Sequence, residues 1–243
     1  MTYDKIVLNI PHASIAGIDE SGWSDKQELI ATSVKTWTDW HTDRLFNPSA
    51  RNASRVTPHV FRLSRFACDA ERLLNDPMEA QGEGILYTSK DGFTRTLDLD
   101  ERQRLMAEYH AYINALKADI HSPQTLLIDC HSYPSFLSDV DICIGFNDDE
   151  SCDEHLVALV EDHFSRLGYR VGINTPYSNA LYPDKGFAYT SIMIELNKRI
   201  YLNEQTTQLL PSAYKVGNAL NSLYTKLLKE FAGDISERDV PNT

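Results

Sequence analysis

Along this chain the hydrophobic positions repeat with two periods in turn, and each change of period marks an element. KIVLNI at 5–10 is a short aliphatic and β-branched run closed by Pro11. It predicts a buried strand that delivers His12, Ala13 and Ser14 into a loop. From 25 to 46, after a loop with Gly17 and Gly22, the period becomes helical, with Leu29, Ile30, Val34, Trp37 and then Trp40 or His41 on one side. One helix is expected there. Residues 55–61 read as a second strand, and 75–93, with Pro77, Gly82, Gly84 and Gly92, as a loop. Residues 99–120 set Leu105, Tyr109, Tyr112, Ile113 and Leu116 on one stripe of an amphipathic helix, where His110 is read as a packing residue.

TLLID at 125–129 reads as a central strand followed at once by Cys130, His131 and Ser132. DICIG at 141–145 is another strand, 154–167 a helix closed by Gly168, and 169–173 a further strand. SIMIEL at 191–196 is a strand that ends near Glu195. A last helix spans 208–231, where a long apolar stripe outweighs the cost of Gly217. The polar tail beyond about 232 is expected to fray. Strand and helix alternate without repeat, low-complexity tract or charged linker. The expectation is one domain over 1–243, α/β, with a mixed, mostly parallel sheet flanked by helices.

Composition narrows the function. Hydrophobic residues make up 42% and charged ones 24%, which is enough for a core without disulfide or metal staples. The net charge of −12 repels phosphate backbones and anionic lipid, so neither nucleic acid nor a membrane is an expected partner. A small acidic substrate stays compatible, because arginines in a cleft set the local potential. Cys68, Cys130, Cys143 and Cys152 form no CxxC and lie near strands, as small buried hydrophobes do. No basic-plus-apolar leader and no long apolar run is visible, so a reduced, cytoplasmic compartment is expected.

In open α/β sheets ligands bind beyond the carboxyl ends of strands, and three expected strands end at His12, His131 and Glu195. A hydrolytic zinc site needs about three protein ligands and one open position. It also needs a carboxylate that moves a proton from water to the departing nitrogen. His12 and His131 supply imidazoles, and Glu195 supplies the carboxylate. For a third ligand the chain offers Asp39, His41 and Asp43, of which Asp39 and Asp43 share one face of the expected helix. A solvated acidic face explains that spacing equally well. The segment 64–72 places Arg65 and Arg72 around Asp69 and Glu71. Either arginine suits a substrate carboxylate, and an internal salt-bridge network suits the same residues. Asp141, Asn174, Arg199 and Tyr201 stand near strand ends as further candidate contacts. His59, His121, His155 and His163 read as surface or loop residues.

These segments, in this order, resemble the N-formylglutamate amidohydrolases. Asn9-Ile10-Pro11-His12 is similar to that family's PHSG strand end, with Ala13-Ser14 in place of Ser-Gly. Residues 38–45 resemble its TDWxxDxL helix, and 65–72 its RxxxDxNR segment. Tyr109-His110, Asp129-Cys130-His131-Ser132, DICIG, Ile194-Glu195-Leu196, Arg199 and Tyr201 follow in register. The resemblance implies a zinc-dependent hydrolase with a fold similar to the zinc carboxypeptidases (phosphorylase/hydrolase-like). Such an enzyme releases formate from an N-formyl amino acid such as N-formylglutamate. It implies His12 and His131 as metal ligands, Asp39 as the first choice for the third and Asp43 as the second, and Glu195 as the catalytic carboxylate. It also points to Arg65, Arg72, Arg199, Asn174 and Tyr201 as substrate contacts, and to zinc, or another divalent metal, as the cofactor.

The chain departs from the carboxypeptidase pattern in one place and from the family pattern in two. The His-x-x-Glu pair of the carboxypeptidases is absent, since Ile15 stands there. Glu71 replaces the family's Asn, and Asn174-Thr175-Pro176-Tyr177-Ser178-Asn179-Ala180 lacks the paired glycines of NxPFxGG. The expected activity is therefore metal-dependent cleavage of an N-acyl amino acid's amide bond, more than of formylglutamate itself. The alternatives are a peptide or cell-wall amide hydrolase of the same fold and a non-catalytic small-molecule-binding relative.

Overall fold

The computed structural model describes residues 2–18, 23, 27–120, 122, 124–147, 152–181 and 189–228. The strands are β1 (Lys5–Ile10), β2 (Val56–Val60), β3 (Ser89–Lys90), β4 (Phe93–Thr94), β5 (Thr125–Tyr133), β6 (Ile142–Gly145), β7 (Val171–Ile173), β8 (Thr190–Asn197), β9 (Leu202–Asn203) and β10 (Gln208–Leu209). The helices are α1 (Gln27–Trp37), α2 (Thr42–Leu45), α3 (Leu99–Ile120), α4 (Glu154–Arg166) and α5 (Ala213–Leu227). Six strands form one sheet in the order β2-β1-β5-β8-β6-β7. The first four run parallel, β6 runs antiparallel to β8, and β7 runs parallel to β6. The sheet is thus mixed and mostly parallel, as the alternating periods implied.

Helices cover both faces of the sheet, which is why its central strands read as unbroken apolar runs. Successive residues of a strand point to opposite faces. Leu8, Ile128 and Ile194 meet Val216, Leu220, Leu223 and Leu227 of α5 on one side. Val7 and Leu127 meet Leu116 and Ile120 of α3 on the other. Each such side chain, fully buried, stabilises the fold by about 1.5–3 kcal/mol.

Four elements differ from the sequence reading. The single helix expected over 25–46 is two, with α1 ending at Trp37 and the chain turning through Thr38–Asp39–Trp40 to His41 at φ 64°. The amide of Asp39 donates to the His12 carbonyl at 3.0 Å, and this tie draws the acid out of the helix toward β1. Asp39 and Asp43 therefore do not share a helical face. Strand β5 runs through His131 to Tyr133 instead of stopping at 129. The last helix starts at Ala213, because Gln208 and Leu209 pair antiparallel with β9. Within 75–93, Asp91 and Gly92 take positive φ (48° and 83°) and close the β3–β4 hairpin. His110 on α3 is exposed and packs no core. The readings of Gly22, His121 and the tail beyond 232 lie outside the described residues. No helix among those described is long and apolar enough to cross a membrane.

Candidate active site

Strand β5 carries Asp129 and His131 two residues apart, hence on one face. Its register sets Asn9 of β1 beside Asp129 and Glu195 of β8 beside His131. His12 comes from the loop after β1 and Asp39 from the break between α1 and α2. The 64–72 segment folds as a tight turn. The Ser64 carbonyl accepts from the amides of Ala67 and Cys68, both at 2.9 Å. The buried Arg95 guanidinium donates to the carbonyls of Ala67 at 3.1 Å and Tyr87 at 2.6 Å, which fixes the turn in place. A cleft of about 320 Å³ opens above, lined among others by Asp39, Arg65, Glu71, Arg72, His131 and Glu195.

Both imidazoles are held from behind. His12 Nε2 lies 2.7 Å from Asp69 Oδ1, and His131 Nε2 lies 2.9 Å from Asp129 Oδ1. Asp69 also accepts from the Tyr87 hydroxyl (2.7 Å) and the Glu71 amide (3.0 Å). Asp129 accepts from Asn9 Nδ2 (2.7 Å) and the Leu181 amide (2.9 Å). An ionised carboxylate only accepts, so each ring in its neutral form presents Nε2–H to its aspartate and keeps a lone pair on Nδ1. The two Nδ1 atoms face the same oxygen: His131 Nδ1 is 3.2 Å and His12 Nδ1 3.6 Å from Asp39 Oδ2. His12 Nδ1 is buried without a hydrogen-bond partner among the described residues. Ser132 Oγ holds the other oxygen of Asp39 at 3.3 Å.

Glu71, expected only in a salt-bridge network or as a departure in the clamp, lies on the opposite edge of the rings. Its oxygens are 3.7 Å from His12 Nε2 and 3.7 Å from His131 Nε2. His12, Glu71 and His131 each offer a ligand atom, all within 4.8 Å of one another, so this group could hold a metal ion. The one sequence signal for Glu71 was its place two residues after Asp69.

Burial alone would push all these carboxyls up. The neighbouring imidazoles nevertheless hold Asp39 and Asp129 below the usual range, and His12 with Arg65 holds Asp69 well below it. Burial lowers the imidazoles, but Asp69 and Asp39 raise His12, and Asp129 and Glu71 raise His131 further. Glu195 behaves differently. Burial pushes it up to about 8, the charges of Asp39 and Glu71 add to the push, and only His131 opposes it. Its Oε2 has no hydrogen-bond partner among the described residues.

The remaining candidates divide. Arg65 and Arg72 both line the cleft and both face Asp69, at 3.3 and 4.0 Å, so the segment is an ion-pair network and a cleft wall at once. Arg199 is drawn away by Asp141 (2.7 and 3.1 Å) and the Asp139 carbonyl. Asn174, at φ 49°, accepts from the Phe146 amide at 3.0 Å and turns the chain into the cis Thr175-Pro176 bond. Tyr201 is fully buried behind Ser132. Asp43 is exposed on α2, and His41 binds the Thr207 carbonyl at 2.8 Å. None of these five lines the cleft. Trp37, Tyr133 and Tyr177 do, and the sequence reading did not single them out for it.

A family model described as N-formylglutamate amidohydrolase matches residues 4–202. Among solved structures, the crystal structure of N-formylglutamate amidohydrolase from Ralstonia eutropha JMP134 aligns with a TM-score of 0.73 and 22% identity, over 93% of this chain and 93% of that one. The gene product Atu2144 from Agrobacterium tumefaciens aligns with a TM-score of 0.62 and 17% identity, over 92% of this chain and 90% of that one. At such identities the two structures establish the fold. No curated protein matches the chain significantly.

Proposed function

The chain belongs to the N-formylglutamate amidohydrolase family, and on that premise we propose that it is a metal-dependent amidohydrolase cleaving the amide bond of an N-formyl or other N-acyl amino acid. The observation that carries this reading is the convergence of His12 Nδ1 and His131 Nδ1 on one oxygen of Asp39, at 3.6 and 3.2 Å. Tetrahedral donors with zinc bonds of about 2.0–2.1 Å lie roughly 3.3 Å apart, and the two imidazole–carboxylate distances, 3.2 and 3.6 Å, are near that value. Two imidazoles and one carboxylate are also a donor set that zinc favours. The alternative set is His12, Glu71 and His131, whose ligand atoms lie within 4.8 Å of one another; the Nε2 atoms that Glu71 approaches at 3.7 Å are also engaged by Asp69 and Asp129.

His12, Asp39 and His131 would hold the metal, which when bound supplies Lewis-acid activation of the scissile carbonyl and of the attacking water. The chain's own residues do the rest. Asp69 and Asp129 fix the imidazole tautomers, and Ser132 fixes the Asp39 carboxylate. Glu195, beside His131 in the cleft, takes a proton from the water and gives it to the departing nitrogen. The hydroxyl ends on the acyl carbon and the amine leaves with the proton, so the products are formate, or another carboxylic acid, and the free amino acid. Arg72 faces the cleft and can pair with the substrate carboxylate.

Activity on a panel of N-formyl amino acids, before and after chelation, tests this. Turnover is expected to vanish on chelation and return with zinc. In Glu195→Gln it is expected to fall at least ~10²-fold, with zinc content unchanged. Full activity of the chelated protein would contradict the reading, and so would a fully active Glu195→Gln variant.

A further inference from the structure

Among the described residues three cationic side chains line the cleft: Arg65, Arg72 and Lys90. Arg65 donates to Asp69 and to the Tyr87 hydroxyl, both at 3.3 Å. Lys90 pairs with Glu83 at 2.9 Å and lies 5.2 Å from the Trp37 ring centre. Of the three, Arg72 makes no side-chain hydrogen bond among the described residues; its buried Nε lies 4.0 Å from Asp69 Oδ2, and the residue lines the cleft. An entering carboxylate thus finds one guanidinium with open donors, which suits bidentate pairing. A second carboxylate would have to displace an existing ion pair and would share the space with Glu71, where like charges repel.

Away from the metal-binding and acidic residues, the wall carries Trp37, Phe66, Tyr133 and Tyr177, with Pro134 and Met193. Trp37 packs edge-on to Phe136, with ring centres 6.4 Å apart, and Tyr133 packs edge-on to Tyr177 at 6.2 Å. Tyr177, 37% exposed, and the half-buried Trp37 present apolar surface to the cleft, and Phe136, 70% exposed, flanks Trp37 outside the lining. Rings of this kind gain most from another ring or an apolar group laid against them.

We propose that the cleft is built for an N-acyl amino acid with a single carboxylate, held by Arg72, and an aromatic or large apolar side chain resting on Trp37, Tyr133 and Tyr177, in preference to an acidic amino acid. This rests on the amidohydrolase reading above and specifies its substrate class. A cationic side chain stacked on the same rings is the competing case.

The N-formyl derivatives of L-phenylalanine, L-glutamate and L-arginine separate these cases when given to the zinc-loaded protein. The expected kcat/KM for the phenylalanine derivative is at least ~10-fold above each of the others, from burial of the side chain against the rings. Phe136→Ser, a change at an exposed position, is expected to lower the phenylalanine-to-glutamate ratio by roughly threefold. Arg72→Met is expected to raise KM for all three. Preference for the glutamate or the arginine derivative overturns the proposal, as does a ratio that Phe136→Ser leaves unmoved. If none of the three is turned over, the hydrolase reading is what fails. Calorimetric dissociation constants of the same acids with the Glu195→Gln variant then decide the substrate class, with the phenylalanine derivative expected to bind most tightly and any other order contradicting it.

Discussion

Asp69 and Asp129 act at the scale of single residues. Each is fully buried, and each turns one imidazole so that its Nδ1 lone pair faces Asp39. Asp129→Asn keeps the shape but removes the charge that favours the Nε2–H tautomer. Zinc affinity is expected to drop by about 10–100-fold, measured by competition with a chromogenic chelator, while unfolding stays cooperative. Unchanged affinity would show that the tautomer is set elsewhere. Much of this centre was legible in the sequence, because His12, His131 and Glu195 stand where apolar runs end. Arg199, Asn174 and Tyr201 stand at similar places but are occupied by Asp141, the Phe146 amide and the interior behind Ser132. A polar residue at a strand end looks the same in sequence whether it serves a site or caps a neighbouring loop. Only the partner, contributed by a distant segment, decides. Glu71 illustrates the reverse: its approach to both imidazoles depends on the turn that Arg95 pins.

At the scale of elements, the strongly periodic segments were the readable ones. β1 and α3 have the boundaries their patterns imply. The helix expected over 25–46 failed because apolar residues keep helical spacing across a break made by a long-range contact, the Asp39 amide on the His12 carbonyl. β5 extends past the apolar run because residues Cys130 to Tyr133 pair with β8. His131, Ser132 and Tyr133 line the cleft, while Cys130 packs in the core. The antiparallel contact of β6 with β8 brings strand and loop very close at Gly145, where an added Cβ would collide with the Met193 side chain and the Asn179 carbonyl. Gly145→Ala is expected to cost about 1–3 kcal/mol, seen as a lower urea midpoint at constant slope. An unchanged midpoint would mean that this edge of the sheet yields easily.

For the whole molecule, stability is linked to pH through buried titratable groups outside the site as well as within it. His163 on α4 donates Nε2–H to the Ala219 carbonyl of α5 at 2.9 Å, and burial lowers its pKa from the ordinary 6.5. The folded protein therefore binds this proton less readily than the unfolded chain does. Its contribution to stability is complete above pH 6.5 and is lost as pH falls through the lower folded value. Urea midpoints between pH 8 and 5 should fall more steeply for the native protein than for His163→Gln, and parallel slopes would remove His163 from the account. The metal site also depends on the whole chain, since β1, the α1–α2 break and β5 must bring three donors to one point. Anomalous diffraction at the zinc absorption edge, from crystals grown with zinc, tests it most directly. One peak is expected about 2.0–2.2 Å from each of His12 Nδ1, His131 Nδ1 and Asp39 Oδ2. A peak coordinated instead through the Nε2 atoms and Glu71, or no peak between the two imidazoles, would contradict it.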